Sequence, residues 1–333
     1  MAIRSLLNGV VLQPPPVIVE PSPLPAPPMP DWPFVQWTPA GGSTITLSRH
    51  IASGIMLGGV DDDARTVIGL DMPPQEEFDT QLPAGGELLN GRRWAARQIG
   101  LPVVIHADTL DELEEHRREL MGSFNPVRGE GVLTVAYPNG RRRSLDAAYS
   151  SGLDVAEVGR AGYPYRDSFT IILKARNPFP YGPELSVPFE PQQSYSFYAP
   201  PGDPVAVFYI SSSTTTGDST VEIDGEVEVY PVWTITGPVA TATLRNRDTG
   251  RTLQLTPNLV AGQTLTVRTD PATVASQKFT RETGANVWST AAGDWPVMWS
   301  LVPGSNRVSV LFTGTVPMQS SIVMTYRPSY LSA

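Results

Sequence analysis

Side chains that could perform acid–base or metal chemistry are few and widely spaced in this 333-residue sequence. Its three histidines are His50, His106 and His116, and none has a second candidate ligand at a metal-binding spacing. The neighbouring carboxylates Glu76 and Glu77 have the chemistry of a glycosidase acid–base pair, but 33 acidic residues make such neighbours frequent by chance. The run Asp61–Asp63 lacks the glycine and distal glutamate of a calcium loop. We therefore expect no catalytic residue and no metal site.

Nucleotide and nucleophile motifs are incomplete or missing. Gly129 and Gly131 begin a dinucleotide-binding pattern, but its third glycine is absent and a strand pattern follows instead of a helix. The sequence contains neither a P-loop nor the nucleophile elbow of a hydrolase. The absence of cysteine excludes disulfides and thiolate metal sites. The sequence therefore predicts a protein that is not an enzyme and that holds no cofactor.

Composition favours many short strands over helices. The 34 prolines and 29 glycines interrupt helices, and apolar and polar residues alternate with the period of a strand through most of the chain. The net charge of −9 argues against attraction to nucleic acid phosphates, so we expect no specific nucleic acid binding. A signal peptide and a membrane-spanning apolar stretch are both absent from the sequence. We expect a mainly β protein of two domains, made in the cytoplasm and without a membrane partner.

Residues 1–33 form a proline-rich arm. Ten of the twenty residues from Pro14 to Pro33 are proline, which favours an extended polyproline II segment. Because such a segment has few backbone donors, apolar side chains must hold it on a partner. The candidate contacts are Leu24, Met29, Trp32 and Phe34. Two interpretations stay open: the arm clasps a neighbouring subunit or an adjoining protein, or it folds back over an edge of its own first domain.

The first folded domain is predicted over residues 34–185, as a β-sandwich-like unit with one helix over residues 109–121. Thr109 and Glu112 have the spacing of a capping box at the start of that helix. Gly122 is expected to end the helix in the left-handed conformation. The apolar stripe predicts burial of Leu110, Leu113, Leu120 and Met121 against a sheet. Glu114, Glu115 and Arg118 are then expected to face water or a neighbouring subunit, and Glu115 and Arg118 are candidate partner contacts.

A hairpin is predicted at Asn139–Gly140, a favoured two-residue turn between strands. The arginines that follow, residues 141–143, are expected to form an exposed basic tip. Arg142 is accordingly a candidate contact for an acidic neighbour.

The second folded domain is predicted over residues 186–333. Short strand patterns recur there at regular spacing with turn dipeptides such as Thr249–Gly250 between them, which is typical of a β-sandwich or jelly roll. Jelly rolls bind sugars on exposed aromatic rings, and Trp295, in a predicted loop before Pro296, is the candidate carbohydrate contact. Trp299 is expected to lie in the core.

The order of these motifs resembles the distal tail protein family of siphophages. In the first domain the resemblance rests on the helix, then Asn125–Pro126, Gly129, Gly131 and the Asn139–Gly140 hairpin. In the second it rests on the segments PVWTITGP, LRNRDTGRTLQL, LVAGQTLTVRTDP and WSLVPGSNRVSVLF. Together these motifs cover residues 40–333, and the proline-rich arm departs from the family pattern.

The resemblance implies a structural virion protein at the distal end of the tail, assembled in the host cytoplasm, with a galectin-like or jelly-roll second domain. It implies a homohexameric ring, through which DNA passes, that continues the tail tube. The implied partners are the tail tube protein, the tape measure protein, the tail hub or tail-associated protein, and the receptor-binding proteins. The alternative is a carbohydrate-binding module that acts in host adhesion through the second domain.

Overall fold

The structure is a computed structural model of the whole chain. It describes residues 34–47, 54–58, 67–81, 87–137, 139–154, 165–189, 214–287, 289, 291, 298–316 and 318–333. The expectations for the arm residues Leu24, Met29 and Trp32, and for Trp295, lie outside these ranges. The described residues are mainly in strands, which confirms the predicted fold class at that level.

The first part of the chain contains nine strands and a helix within the described ranges. The elements are β1 (Phe34–Thr38), β2 (Ile45–Leu47), β3 (Gly54–Leu57), β4 (Gln75–Gln81), β5 (Glu87–Trp94), β6 (Arg97–Ala107), α1 (Leu110–Ser123), a 3-10 turn at Pro126–Arg128, β7 (Gly131–Ala136), β8 (Arg142–Ser151) and β9 (Tyr165–Ala175). Seven strands form one antiparallel sheet in the order β2-β1-β7-β8-β9-β6-β3. The edge strands β2 and β3 lie close together, so the sheet curls into a nearly closed barrel.

This curled sheet differs from the sandwich-like layout that the sequence predicts for the first domain. One sheet wraps around its own core, and the core includes Trp37, Leu101, Leu133 and Ile171. Strand β6 is buried over nearly its whole length because it lies between the core and helix α1. The remaining strands, β4 and β5, pair only with each other and form a separate hairpin.

Helix α1 confirms the predicted capping box. The Thr109 hydroxyl accepts from the Glu112 backbone N–H at 3.2 Å, and the Glu112 carboxylate accepts from the Thr109 N–H at 3.3 Å. The predicted burial of Leu113 and Leu120 is confirmed, and Phe124, which follows the helix, is buried on the same side.

Three expectations for this helix are wrong. Leu110 is 54% exposed and Met121 is 44% exposed, because both lie at one edge of a stripe that is centred on Leu113 and Leu120. The helix also continues through Gly122 to Ser123. The Trp37 indole donates to the Ser123 carbonyl at 3.0 Å, and its ring stacks on Phe124 at 4.8 Å, so a side chain from β1 stabilises this end.

The second part of the chain forms two sheets. Its elements are β10 (Leu185–Phe189), β11 (Thr214–Ile223), β12 (Val232–Thr236), β13 (Thr241–Asn246), β14 (Thr252–Leu255), β15 (Thr264–Arg268), a short helix α2 (Ala275–Lys278), β16 (Phe279–Arg281), β17 (Gly304–Thr313) and β18 (Ser321–Tyr326). The sheet orders are β10-β18-β12-β15-β16 and β11-β17-β13-β14. The inward residues of both sheets share one core, which includes Trp233, Phe312, Met324 and the predicted core residue Trp299.

The two buried clusters correspond to two units, which are called the first and second unit below. The division of the chain at residue 186 and the galectin-like topology of the second domain stay predictions. One contact was not anticipated from the sequence: the last residue, Ala333, is buried in the core of the first unit. The C-terminal segment, residues 327–333, therefore packs against the first unit.

Candidate functional site

Chemistry-bearing side chains do not converge within the described ranges. No group of three or more histidine, aspartate or glutamate side chains lies close enough there to hold a metal ion. His106 lies in strand β6, and His116 lies on α1 with its Nδ1 atom 3.7 Å from the Glu119 carboxylate. Across the described segments no helix is long and apolar enough to cross a membrane.

Among the described residues, an open groove of about 730 Å³ lies between the two units. Its floor is the outward face of β1, β7 and β8, where Gln36, Thr134 and Ser144 lie side by side. The hydroxyls of Thr134 and Ser144 are 2.9 Å apart. These side chains point outward because their neighbours in each strand point into the barrel.

Backbone hydrogen bonds join the two units along one wall of the groove. Tyr181 exchanges two bonds of 2.8 Å with Ser144 of β8. On its other side Tyr181 forms a bridge with Ser329, and Ser329 forms a bridge with Val227 in the second unit. The Tyr181 hydroxyl also donates to Asp146 at 2.7 Å. The pKa of Tyr181 is raised mainly by burial and also by this hydrogen bond. The relative position of the two units is therefore fixed by hydrogen-bonded backbone.

Arg143 corrects the expectation of an exposed basic tip. It is 6% exposed, because it lies on the inward side of β8 together with Leu145 and Ala147. Its guanidinium lies 3.8 Å from the centre of the Tyr330 ring and donates to the Ser332 carbonyl at 2.5 Å. Burial, more than any other cause, lowers the pKa of Arg143. This arginine thus holds the C-terminal segment against the first unit.

Further bonds secure the same segment. The Tyr137 hydroxyl donates to the Ala333 carbonyl at 2.6 Å, and the Ala333 N–H donates to the Leu70 carbonyl at 2.9 Å. Arg97, buried at the start of β6, donates to the Leu331 carbonyl at 2.7 Å, and burial lowers the pKa of Arg97. The Arg97 Nε atom has no hydrogen-bond partner among the described residues.

The rim of the groove carries three guanidinium groups. Arg327 lies 5.1 Å from the Tyr181 ring centre and 3.3 Å from the Glu184 carboxylate. Arg141 lies 4.8 Å from the Tyr137 ring centre, and Arg142 is exposed. Within the described ranges, no carboxylate lies within 4 Å of Arg141 or Arg142. The rim therefore presents unpaired positive charge next to aromatic rings.

The predicted contact residues are distributed over separate surfaces. Glu115 and Arg118 are exposed on α1, as expected, and neither lines the groove. Glu114 is half-buried, because it pairs with Arg117, whose Nε donates to the buried Asp167 at 2.5 Å. Arg142 lies on the groove rim.

Phe34 is the first residue of β1, and the chain before it lies outside the described ranges. Sequence reasoning missed three residues at the junction of the units: Arg143, Tyr181 and Tyr330. Arg143 could have been found, because it is two residues before Leu145 and therefore lies on the same inward face of the strand. No sequence pattern indicated the positions of the two tyrosines.

Solved structures with a similar fold exist. No protein-family model matches the sequence, and no curated protein matches it at a significant level. The Dit protein (gp 19.1) of phage SPP1, described as a paradigm of the hub adsorption apparatus in phages that infect Gram-positive bacteria, is similar with a TM-score of 0.56 and 12% identity. That similarity covers 89% of this chain and 98% of the SPP1 protein.

Two structures of the phage P2 baseplate in its activated conformation, with Ca and with Sr, each have a TM-score of 0.49 at 12% identity. Each similarity covers 88% of this chain and 97% of the matched baseplate chain. The similarity to the SPP1 protein, at 12% identity, shows a shared fold. The resemblance to distal tail proteins is therefore confirmed as a likeness of fold, and it extends across both units.

Proposed function

We propose that this chain is a structural component of a siphophage tail tip, a distal adaptor that forms a hexameric ring at the end of the tail tube. The observation that carries the proposal is the similarity to the SPP1 hub protein, which covers 89% of this chain and 98% of that one. The motif order in the sequence supports it independently, since it involves residues rather than backbone shape. The scarcity of catalytic groups in the sequence is consistent with a structural role.

As a ring, the protein would continue the tail tube and carry the tail hub and the receptor-binding proteins. Its partners would be further copies of itself, the tail tube protein and the tape measure protein. Exposed surfaces available for such contacts include the face of α1 with Glu115 and Arg118, and the β4–β5 hairpin with Phe78 and Leu89. Partly apolar exposed patches are typical of protein interfaces.

The oligomeric state is tested by native mass spectrometry of the purified chain. A hexamer, or two stacked hexamers, is the expected species. Charge reversal by Glu115→Lys should leave the fold unchanged, because this side chain is exposed, and should reduce hexamer formation. Glu222→Lys, an exposed glutamate on β11 in the second unit, is a matched control that should not. A strict monomer at every concentration would contradict ring formation by the isolated chain.

The location in the virion is tested by electron microscopy of particles labelled with antibody to this chain. Label confined to the tail end opposite the capsid is expected. Label on the capsid or along the whole tube would reject the distal position.

The carbohydrate-binding alternative receives no support from the described residues. Both tryptophans of the second unit that the structure describes, Trp233 and Trp299, are buried. The remaining candidate contact, Trp295, lies outside the described ranges. A glycan array with the wild-type chain and Trp295→Ala separates the two functions, since loss of a glycan signal in the variant would favour adhesion.

A further inference from the structure

The proline-rich arm enters the first unit beside the groove between the two units. Strand β1 begins at Phe34, which pairs with Ala136 at the end of the β7–β8 hairpin. Gln36, two residues along β1, already lines the groove floor, and Gly140 and Arg141 of the hairpin turn line its rim. Two residues of a strand span about 7 Å. Phe34, where the described part of the chain begins, therefore lies near the mouth of the groove.

The walls of the groove have the chemistry that proline-rich segments bind. Tyr181 and Tyr330 are half-buried and present their rings, and Pro183, Leu185 and Pro328 add apolar surface. Extended proline-rich ligands dock between aromatic side chains in this manner, because their conformation is largely fixed before binding.

The groove also supplies the hydrogen-bond donors that such a segment needs. Five of the ten residues in 24–33 are proline and have no backbone N–H, whereas all ten have a carbonyl acceptor. The rim offers the guanidinium donors of Arg141 and Arg142, which have no carboxylate within 4 Å among the described residues. These guanidinium donors complement a segment that is rich in carbonyl acceptors.

Charge is complementary as well. The arm contains Glu20 and Asp31, and its positive side chain, Arg4, lies far from the groove end of the arm in sequence. The groove contains the carboxylates Glu184 and Asp224, of which Glu184 already pairs with Arg327. Asp31, three residues before β1, is close in sequence to the groove mouth, where Arg141 and Arg142 have no carboxylate within 4 Å among the described residues.

From these observations we infer that the groove is the binding site of the chain's own proline-rich arm, with residues 24–33 seated between Tyr181 and Tyr330 and Asp31 facing Arg141 and Arg142. This is the folded-back arrangement of the arm, and it specifies which surface the arm covers. It does not depend on the proposed function.

The test uses the full chain, labelled at one position. Since the sequence has no cysteine, Ser22→Cys provides a single site for a fluorescent label on the arm. High anisotropy of the label is expected in the otherwise unchanged protein. Arg142→Glu should lower the anisotropy toward that of a free segment, because it places a like charge opposite Asp31. Arg251→Glu, the same charge change at an exposed turn of the second unit, should have no effect.

A charge exchange tests the specific pairing. Asp31→Arg alone should release the arm, and its combination with Arg142→Glu should restore the high anisotropy. A synthetic peptide of residues 14–33 should also displace the tethered arm, but only near millimolar concentration, the effective concentration of a short tether. A peptide with its prolines replaced by alanine should be about tenfold weaker, because it loses the preformed conformation.

Three results would overturn the inference. The first is low anisotropy in the chain with only the Ser22→Cys change. The second is an equal response to Arg142→Glu and Arg251→Glu. The third is anisotropy that falls on dilution, which would show that the arm binds a neighbouring copy rather than its own groove.

Discussion

The two units bury polar groups of different kinds. The first unit buries ionised side chains, Arg97, Arg143 and Asp167, whereas the second buries neutral ones such as Asn246 and Asn306. The charged groups of the first unit lie where another part of the chain must be held, at helix α1 and at the C-terminal segment. The amides of the second unit lie inside turns: the Asn306 side chain accepts from the Val302 N–H at 2.9 Å and donates to the Val302 carbonyl at 2.7 Å.

This difference has an energetic consequence. A buried charge that loses its partner carries a large desolvation penalty, whereas an amide in a turn leaves only one or two unpaired backbone groups. We therefore expect the joints of the first unit to be more sensitive to single substitutions than the turns of the second unit. The predictions below run from the largest expected effect to the smallest.

The largest effect is expected from Asp167→Ala. Asp167 is 2% exposed and accepts a hydrogen bond from the Arg117 guanidinium, which links β9 to α1. Removal of one member of a buried ion pair typically costs about 3–5 kcal/mol. Hydrogen exchange read by mass spectrometry should show faster exchange in α1 and β9 and little change in the second unit.

The matched control is Asp218→Ala, which removes an ion pair with Arg247 on the exposed face of the second unit. Exposed pairs contribute about 0–1 kcal/mol. Equal losses of stability in the two variants would contradict the distinction between the units.

The next effect concerns the buried stripe of α1. Leu113→Ala should lower the free energy of unfolding by about 2–5 kcal/mol, because Leu113 is 4% exposed in the core of the first unit. Leu110→Ala, on the exposed edge of the same helix, should change it by less than about 0.5 kcal/mol. Urea denaturation measures the free energy of unfolding of both variants. A larger loss in Leu110→Ala than in Leu113→Ala would show that Leu110 is buried, as the sequence predicted.

A smaller effect is expected in the second unit from Asn306→Ala. The substitution leaves the Val302 N–H and the Val302 and Gly304 carbonyls without their side-chain partner. The expected loss is about 1–3 kcal/mol, with faster exchange confined to residues 298–306. If exchange accelerated equally in β6 and β9, the two units would not be independent in this respect.

The smallest effect is expected at the joint between the C-terminal segment and the first unit. Tyr137→Phe removes only the hydroxyl that donates to the Ala333 carbonyl, so it should cost about 0.5–1.5 kcal/mol. Its signature is local: amide exchange should accelerate in residues 327–333 and stay unchanged in α1. A global loss of stability would mean that this bond supports the whole first core.

The sequence predicted those features that depend on near neighbours. The capping box at Thr109 and Glu112 needs only residues a few positions apart, and it is present. The hairpin at Asn139–Gly140 is present as well, with Gly140 at a φ of 84°, but Tyr137 pairs with Arg141, so its loop has three residues instead of the predicted two. The burial of Leu113 and Leu120 follows from helical period. The exposure of Leu110 does not follow from it. Leu110 lies at one edge of the apolar stripe, and whether an edge is buried depends on the position of the strand that packs against the helix.

The groove was not predictable, because its residues come from five distant segments of the chain. Tyr181 and Tyr330 are 149 positions apart in the sequence, and no local pattern indicates that they line one surface. The curled sheet of the first unit is a similar case, since strand alternation is the same in a sandwich and in a barrel.

The return of the C-terminal segment sets an order on the synthesis of the protein. A ribosome delivers the strands of the first unit early, but Arg97 and Tyr137 donate to the carbonyls of Leu331 and Ala333, which are 234 and 196 positions later. At about 5–20 residues per second, these two side chains wait roughly 10–50 s for their partners. A nascent chain interrupted before residue 331 therefore leaves a charged arginine in the first core without the carbonyl that it binds. Only a chain translated as far as residue 333 completes the surface on which both units meet.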